Sequence, residues 1–515
     1  MRVLDHWLDE LLPFPRPEYA KQTESLLTDL IWRSPGSSLS VAANNEPIIE
    51  HLARLKGRED PPTWPEPERL VPLKHRGASP RVRETFPIAL SIDMASRIAV
   101  PQGAKAPTEP LLRSLFAPRA RGDKSNACVP LHPSVVAMQT LHGLVNKESP
   151  ANLANAIEAM GWLGGARQDG EVAALFLRAF QATPAIRQGA TGAIEWLLPE
   201  IARHTWENLP TAYSKPLTGW PAWPSVVPNA GAPMAASPLA SYELTPFIWF
   251  WRKWQSLCSP ENQWQELLPA RRFVDWALCL LRTGLAFSYL WEAEFYCRLH
   301  ERVAIRASIV PGTATNRVRT LLANGVPLAT IEPPAVPASQ KGIWPATAEL
   351  IARGWKARSL IFEEIAQGEQ APAGNGLVEV LENWVAGLAS ARLAAIGTPL
   401  QTTPRMANNQ KEFVKYLLLP RSSDDDSVDQ ADFYYLACTS SKHAWFQPGP
   451  EWLVVITSLL CGQPGGQCTL GELMADMACL GVRVERSVLV GLLEESGLTT
   501  DSPDADNALV IRSGF

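Results

Sequence analysis

Proline is the residue that most restricts how this chain can fold. The sequence contains 45 prolines in 515 residues, and three segments are especially rich in them: 61–80, 207–246 and 327–345. Proline lacks a backbone N–H and its ring clashes with the preceding helical turn, so regular helices do not pass through these segments. A structureless connection of about forty residues is unusual inside one compact domain. We therefore interpret 211–246 as a linker or as a segment that wraps around the surface.

Between the prolines, apolar residues recur at helical spacing, which predicts a mainly α-helical protein. The predicted fold is a multi-helix body with proline-rich connecting segments, a small mixed N-terminal region and a C-terminal domain. The layout comprises a mixed α/irregular region (1–145), a helical block (146–210), the proline-rich linker or wrapping segment (211–246), a second helical block (247–420), an acidic linker (421–447) and the C-terminal domain (448–515). The helices predicted within the second block span 247–257, 271–303, 346–367, 376–396 and 411–418.

Composition excludes several classes of protein. Hydrophobic residues make up 46% of the sequence and charged residues 19%, which provides apolar material for a core and excludes a disordered chain. The net charge of -5 argues against a protein whose whole surface binds nucleic acid. Asp5, Asp9 and Glu10 interrupt the apolar residues of the N-terminus, and charged residues interrupt the longest apolar stretches. We therefore expect a soluble cytoplasmic protein with reduced cysteines and no membrane partner.

The clearest local signals lie in the last part of the chain. Pro450 begins an apolar helix, and Thr469 and Glu472 form a capping box at the start of the next helix. Gly481 ends this second helix, and a third amphipathic helix follows it. A polar loop and a short strand (508–511) complete the sequence.

This order of three helices, a polar loop and a strand resembles a winged-helix module over about residues 450–515. The resemblance implies a third helix that often lies in the major groove of DNA, where Arg483 and Arg486 would make the contacts. The same region also carries Glu494 and Glu495, and the polar loop contains three aspartates. Because a surface that faces phosphates should be basic, we expect this module to contact protein, with nucleic-acid contact as the alternative.

The segment 247–254 combines aromatic rings with cations. The residues concerned are Trp249, Trp251, Trp254, Arg252 and Lys253. The rings can belong to the core while the cations are solvated. Alternatively, the segment can form an interface hot spot, since tryptophan and arginine are favoured there, or a nucleic-acid site in which rings stack on bases and cations neutralise phosphates.

A second group of basic residues lies in the N-terminal region. Its members are Arg113, Arg119, Arg121 and Lys124. Positive loops attract phosphates or acidic partners, which makes this segment a candidate nucleic-acid contact. A solvated loop without a ligand is the other interpretation.

One helix offers candidates for acid–base chemistry. Glu292, Tyr296 and His300 follow each other at four-residue spacing and therefore share one face. A carboxylate and an imidazole can act as an acid–base pair because imidazole titrates near neutrality. A structural role in a core network is the competing interpretation for these groups.

Familiar cofactor and metal motifs are absent from the sequence. It contains no G-x-x-x-x-G-K-[ST], H-E-x-x-H, G-x-S-x-G or C-x-x-C pattern. A structural zinc site normally needs four ligands, and no paired cysteine or histidine motif supplies them. The sequence therefore predicts no cofactor and no metal.

Together these patterns predict a non-enzymatic scaffold or adaptor subunit whose partners are other proteins of a multiprotein assembly. A bacterial DNA-processing or antiviral defence system is one assembly that would use such a subunit. The first alternative is a nucleic-acid-binding component that uses the basic loops and the aromatic–basic segment. The second alternative is an enzyme of unfamiliar type centred on Glu292 and His300.

Overall fold

The computed structural model describes most of the chain after residue 152 and a short N-terminal stretch. The described ranges are 7–15, 153–183, 233–312, 317–333, 335–338, 343–365, 371–420, 434–440, 443–499 and 509–515, with a few isolated positions besides. Helices account for 62% of these residues, which confirms the mainly α-helical class. Most of the mixed N-terminal region, the first part of the proline-rich linker (211–232) and most of the acidic linker (421–433) lie outside the described residues.

The elements are numbered in chain order. The helices are α1 (Trp7–Leu11), α2 (Leu153–Gly164), α3 (Glu171–Gln181), α4 (Pro246–Cys258), α5 (Trp264–Leu267), α6 (Ala270–Arg306), α7 (Arg317–Asn324), α8 (Ile343–Ile365), α9 (Leu377–Gly387), α10 (Ser390–Ile396), α11 (Asn408–Leu418), α12 (Pro450–Cys461), α13 (Leu470–Leu480) and α14 (Arg486–Glu495). The strands are β1 (Ala329–Ile331), β2 (Ala437–Ser440), β3 (His443–Phe446), β4 (Gln467–Thr469), β5 (Val482–Val484) and β6 (Val510–Arg512).

The second helical block contains the predicted helices, one of them divided in two, and also two short helices, α5 and α7, that the sequence pattern did not predict. Helices α4, α6, α8 and α11 occupy the predicted positions within a few residues. The single helix predicted over 376–396 is instead two helices, α9 and α10. They are separated because Leu388 and Ala389 adopt extended backbone, with ψ angles of 130° and 152°. Apolar spacing continues across this break, so periodicity alone does not reveal it.

Helix α6 is the centre of the fold. It has 37 residues, and nearly all its side chains between Phe273 and Tyr296 are buried. Helices α2, α4, α8 and α11 pack against it. Where α6 crosses α8, a Cβ atom added to Gly354 would lie 2.4 Å from the Cα of Ala293. Glycine at this position therefore allows the two helix backbones to approach each other closely.

Helix α6 is also the one described helix that is long and apolar enough to cross a membrane. Its most apolar stretch contains so few charged residues that its composition is compatible with a membrane-spanning helix. In the fold, however, 94% of its most apolar 18-residue window is buried. Arg282, within this stretch, donates hydrogen bonds to the carbonyl oxygens of Leu417 at 2.9 Å and Leu419 at 2.7 Å. Here α6 is enclosed by the other helices of the body.

Two small sheets connect parts of the chain that are distant in sequence. The first has the strand order β2-β3-β1-β5, with β1 parallel to both β3 and β5. Strand β1 lies within the proline-rich stretch 327–345, and Ala329 and Ile331 pair with Val482 and Val484. The second sheet pairs β4 with β6 in antiparallel orientation. The pairing of β1 with β5 therefore joins the helical body to the last part of the chain.

The capping signals predicted near the C-terminus are confirmed. The Thr469 hydroxyl accepts a hydrogen bond from the Glu472 amide at 3.2 Å, and the Glu472 carboxylate accepts one from the Thr469 amide at 2.7 Å. The pKa of Glu472 is lowered by the hydrogen bonds that its carboxylate accepts from the Thr469 amide and from the Thr469 hydroxyl, the latter at 3.0 Å. Gly481 ends the helix with φ of 91°, a left-handed conformation that favours glycine.

Candidate interface of the C-terminal segment

Asp476 on α13 makes the central polar contact between the C-terminal segment (residues 448–515) and the helical body. Its carboxylate accepts a hydrogen bond from Trp249 Nε1 at 3.0 Å and forms an ion pair with Lys253 Nζ, also at 3.0 Å. Lys253 additionally donates to the carbonyl oxygen of Ile456 on α12 at 3.4 Å. The Lys253 side chain is 3% exposed, and an ammonium group this buried needs a charged partner. This contact fixes α12 and α13 against α4.

Further hydrogen bonds join the C-terminal segment to the body. They connect Trp452 Nε1 to Thr283 Oγ1 at 3.0 Å, Trp264 Nε1 to the Gly462 carbonyl at 3.0 Å, and the Cys479 thiol to the Glu243 carbonyl at 2.8 Å. The apolar side chains of both parts also belong to one continuous core. The faces of α12 and α13 that point toward the body are therefore occupied.

The tryptophans of the segment 247–254 lie inside this core. Trp249 is 1% exposed, Trp254 is fully buried and Trp251 is 6% exposed. The Trp254 indole donates to the Val172 carbonyl at 3.0 Å. In the structure these three rings therefore belong to the core of the chain.

The two cations of the same segment have different surroundings. Lys253 is enclosed with Asp476 and is not accessible to a phosphate. The Arg252 side chain is 56% exposed and lies 3.5 Å from the carboxylate of Glu243. Of this pair, Arg252 alone remains at the surface, where an acidic neighbour partly neutralises it.

Helix α14 forms the exposed side of the C-terminal segment. Its apolar residues Val488, Leu489 and Leu493 are buried. The exposed residues of this helix, of its N-cap and of strand β5 before it form what we call the α14 surface: Arg483, Glu485, Arg486, Ser487, Glu494 and Glu495. The α14 surface therefore has mixed charge, with two guanidinium groups and three carboxylates.

Glu292 on α6 forms an ion pair with a residue from α8. Its carboxylate lies 3.2 Å from the Arg358 guanidinium, and the two side chains are 7% and 10% exposed. Arg358 also donates to the Phe14 carbonyl at 3.3 Å and lies over the Phe362 ring, 4.9 Å from its centroid. These contacts join α6, α8 and the N-terminal stretch, which is a structural role.

His300 has partners of its own. Its Nε2 atom donates to the Thr398 carbonyl at 3.0 Å, after the end of α10. Eight residues of helix place His300 about 12 Å along the axis from Glu292, which is too far for direct proton transfer. Burial lowers the pKa of His300, although backbone hydrogen bonds to Thr398 and Ile396 oppose this effect. The structure therefore does not bring Glu292 and His300 together as an acid–base pair.

We expect the variant H300Q to be less sensitive to acid than the native protein. The pKa of His300 is lower in the folded state than its ordinary value of 6.5. As the pH falls through 6.5, the unfolded chain binds more protons than the folded one, so the free energy of unfolding decreases. Glutamine keeps an N–H donor for the Thr398 carbonyl but does not titrate. Urea unfolding between about pH 8 and about pH 5 measures this difference, and identical pH profiles of the two proteins would contradict it.

The remaining predicted sites lie partly outside the described residues. Arg113, Arg119, Arg121 and Lys124 belong to the part of the N-terminal region that the structure does not describe. Where the chain is described, no group of three or more histidine, cysteine, aspartate or glutamate side chains could hold a metal ion. Arg358 and Asp476 could not be identified as important residues from the sequence, since neither belongs to a motif. Both form contacts with partners that are distant in sequence.

The architecture defined by these contacts is a helical body with a three-helix C-terminal segment built into its core. No protein-family model matches the chain, and no similarity was found to a curated protein or to a solved structure.

Proposed function

We propose that the protein is a scaffold or adaptor subunit of a multiprotein assembly, and that its C-terminal segment is a winged-helix-like docking module. The order of α12, β4, α13, α14 and β6 supports this assignment. The antiparallel pair of β4 and β6 also supports it, as does a bridge between Thr499 and Ile511, which brings together the two ends of the polar loop. That loop would be the wing, and most of it lies outside the described residues.

The observation that carries the proposal is the buried contact of Asp476 with Trp249 and Lys253. It holds α13 against the body and leaves α14 facing outward. A docking surface benefits from such rigidity, because less conformational entropy is lost when the partner binds. The proline-rich connecting segments suit the same role, since an extended chain can cover a helical body without regular structure of its own.

The charges of the α14 surface favour a protein partner over nucleic acid. A surface that contacts phosphates gains affinity from a majority of Lys and Arg, whereas here Glu485, Glu494 and Glu495 outnumber Arg483 and Arg486. A protein partner can match such a pattern with charges of both signs. We place the assembly in the cytoplasm because the described cysteines are thiols, which are typical of a reducing compartment. A bacterial DNA-processing or antiviral defence system is the host that we propose.

Reversing two charges on the α14 surface tests the docking role. The native chain is co-expressed with the proteins encoded by neighbouring genes, and co-elution is followed by size-exclusion chromatography. In the double variant E494K/E495K we expect the affinity for the partner to fall by at least about tenfold, which corresponds to ~1.4 kcal/mol. The matched control is E363K, which reverses an exposed charge on α8 and should leave the complex unchanged.

Two results would contradict the proposal. One is a native chain that elutes alone in every combination. The other is a complex that E494K/E495K and E363K affect equally.

A titration with duplex DNA at two salt concentrations tests the nucleic-acid alternative, because phosphate contacts weaken as salt rises. Salt-sensitive binding that is lost in R483A/R486A would favour that alternative instead.

A further inference from the structure

Cys461 and Cys468 lie next to each other at the second sheet. Cys461 is the last residue of α12, and its thiol donates to the Ile511 carbonyl at 3.8 Å. Ile511 on β6 is also the residue that pairs directly with Cys468 on β4. A hydrogen bond between the two thiols affects the pKa of both. The two cysteines are therefore neighbours beside Ile511, inside the C-terminal segment.

The chain between the two cysteines is a tight turn that returns on itself. Gly462 and Gly465 have φ angles of 85° and 70°, which favour glycine. A Cβ atom added to Gly466 would lie 2.4 Å from the Cys461 carbonyl oxygen. The turn is held on its outer side by a hydrogen bond from the Gly465 amide to the Phe515 carbonyl at 2.6 Å. The turn therefore brings the chain back beside Cys461 two residues before Cys468, and its three glycines can adopt backbone conformations that other residues rarely adopt.

Electrostatics distinguish these two thiols. The hydrogen bond from Cys468 and the nearby Lys253 ammonium lower the pKa of Cys461, against the opposing effect of burial. The hydrogen bond to Cys461, together with burial, raises the pKa of Cys468. Burial likewise raises the pKa of Cys297 to about 12 and that of Cys479 to about 11. Cys461 is also partly exposed, whereas Cys468 is buried, so an oxidant in solution meets the more ionised sulfur first.

We propose that Cys461 and Cys468 form a reversible thiol–disulfide site that peroxides oxidise. Cys461 is the reacting thiol and Cys468 is the resolving thiol. This assignment is independent of the scaffold function, because it rests on the two cysteines and their surroundings within this chain and needs no partner protein. Oxidation would fix the connection between α12 and β4 covalently, beside the contact that holds the C-terminal segment to the body.

Hydrogen peroxide is the only co-reactant that oxidation of the two thiols requires. The Cys461 thiolate attacks one peroxide oxygen, so that an S–O bond forms, the O–O bond breaks and hydroxide leaves to become water. Cys461 is then a sulfenic acid, oxidised by two electrons. The Cys468 sulfur next attacks the Cys461 sulfur, forming the S–S bond and releasing a second water that takes up the Cys468 proton. A dithiol reductant reverses the reaction by thiol–disulfide exchange.

Mass spectrometry of the full-length protein tests this assignment. The reduced protein is exposed to hydrogen peroxide, the remaining thiols are alkylated with iodoacetamide, and the digested peptides are analysed. We expect a peptide in which Cys461 and Cys468 are joined, and its loss after treatment with dithiothreitol. In the variant C468S, dimedone should trap a sulfenic acid at Cys461 at least about tenfold faster than at Cys297, since each unit of pKa changes the thiolate fraction tenfold.

Variants at other cysteines provide the controls. C461S should abolish the disulfide and leave Cys468 unreactive, whereas C297S should leave the disulfide yield unchanged. The experiment on the native protein needs no substitution, so a variant that fails to fold does not remove the test. Failure of Cys461 and Cys468 to form a disulfide in the folded native protein would overturn the proposal. Labelling of Cys461 that is no faster than that of Cys297 would overturn the assigned order of reaction.

Discussion

Replacing Arg358 by methionine should lower the free energy of unfolding by about 3–5 kcal/mol, because the substitution leaves the Glu292 carboxylate buried without its charged partner. The two groups lie 3.2 Å apart, and neither side chain is more than 10% exposed. The same change removes the hydrogen bond to the Phe14 carbonyl and the contact of the guanidinium with the Phe362 ring. The contacts that are lost join α8 to α6 and to the N-terminal stretch, so the substitution should destabilise the whole helical body.

The double variant E292L/R358M separates charge burial from packing. When two apolar side chains of similar volume replace the ion pair, no charge remains buried, so most of the lost stability should return. The matched control is R271M, since the Arg271 side chain is 66% exposed and lies 3.8 Å from Asp275. Loss of such an exposed pair should cost less than about 1 kcal/mol. Urea unfolding followed by tryptophan fluorescence measures all three variants. An R358M protein as stable as R271M would contradict the structural role of Arg358.

Local sequence signals were sufficient to predict much of the helical framework. The proline at the start of α12, the glycine after α13 and the capping box of Thr469 and Glu472 act within one helical turn. Their consequences can therefore be derived without knowing the rest of the fold. The long apolar run of α6 is similar, because a helix that is apolar on all sides must be buried.

Partners that are distant in sequence could not be predicted in this way. Trp249 and Asp476 are 227 positions apart, and Arg358 and Phe14 are 344 positions apart. Helical spacing identifies an apolar face but does not say which other face covers it. For the same reason, no residue pattern indicates that β1 pairs with β5. The core interpretation of the segment 247–254 had its cations solvated, whereas Lys253 is enclosed with Asp476. The candidate pair of Glu292 and His300 likewise looked plausible on a helix face, but each has a separate partner in three dimensions.

Replacing Asp476 by alanine should have a comparably large effect, about 3–5 kcal/mol, and it should act on the C-terminal segment in particular. The Lys253 ammonium is 3% exposed and would lose the carboxylate 3.0 Å away, and the Trp249 indole N–H would lose its acceptor. The uncompensated buried charge accounts for most of this cost, and the unsatisfied indole donor accounts for about 1 kcal/mol of it. Hydrogen exchange should therefore increase across α12 and α13 before it increases in α6, because α6 has contacts on all sides that do not involve Asp476.

A second variant shows whether the stability lost in D476A comes from the uncompensated charge or from altered packing. In K253M/D476L no charge remains buried, so most of the stability should return, apart from the share that belongs to the Trp249 N–H. The variant E243A is the matched control at the same interface, because the Glu243 and Arg252 side chains are 76% and 56% exposed and 3.5 Å apart. Its cost should be below about 1 kcal/mol. If D476A exchanged no faster than E243A across α12 and α13, the buried contact would not be what holds the C-terminal segment. The α14 surface would then lack the rigid support on which its docking role depends.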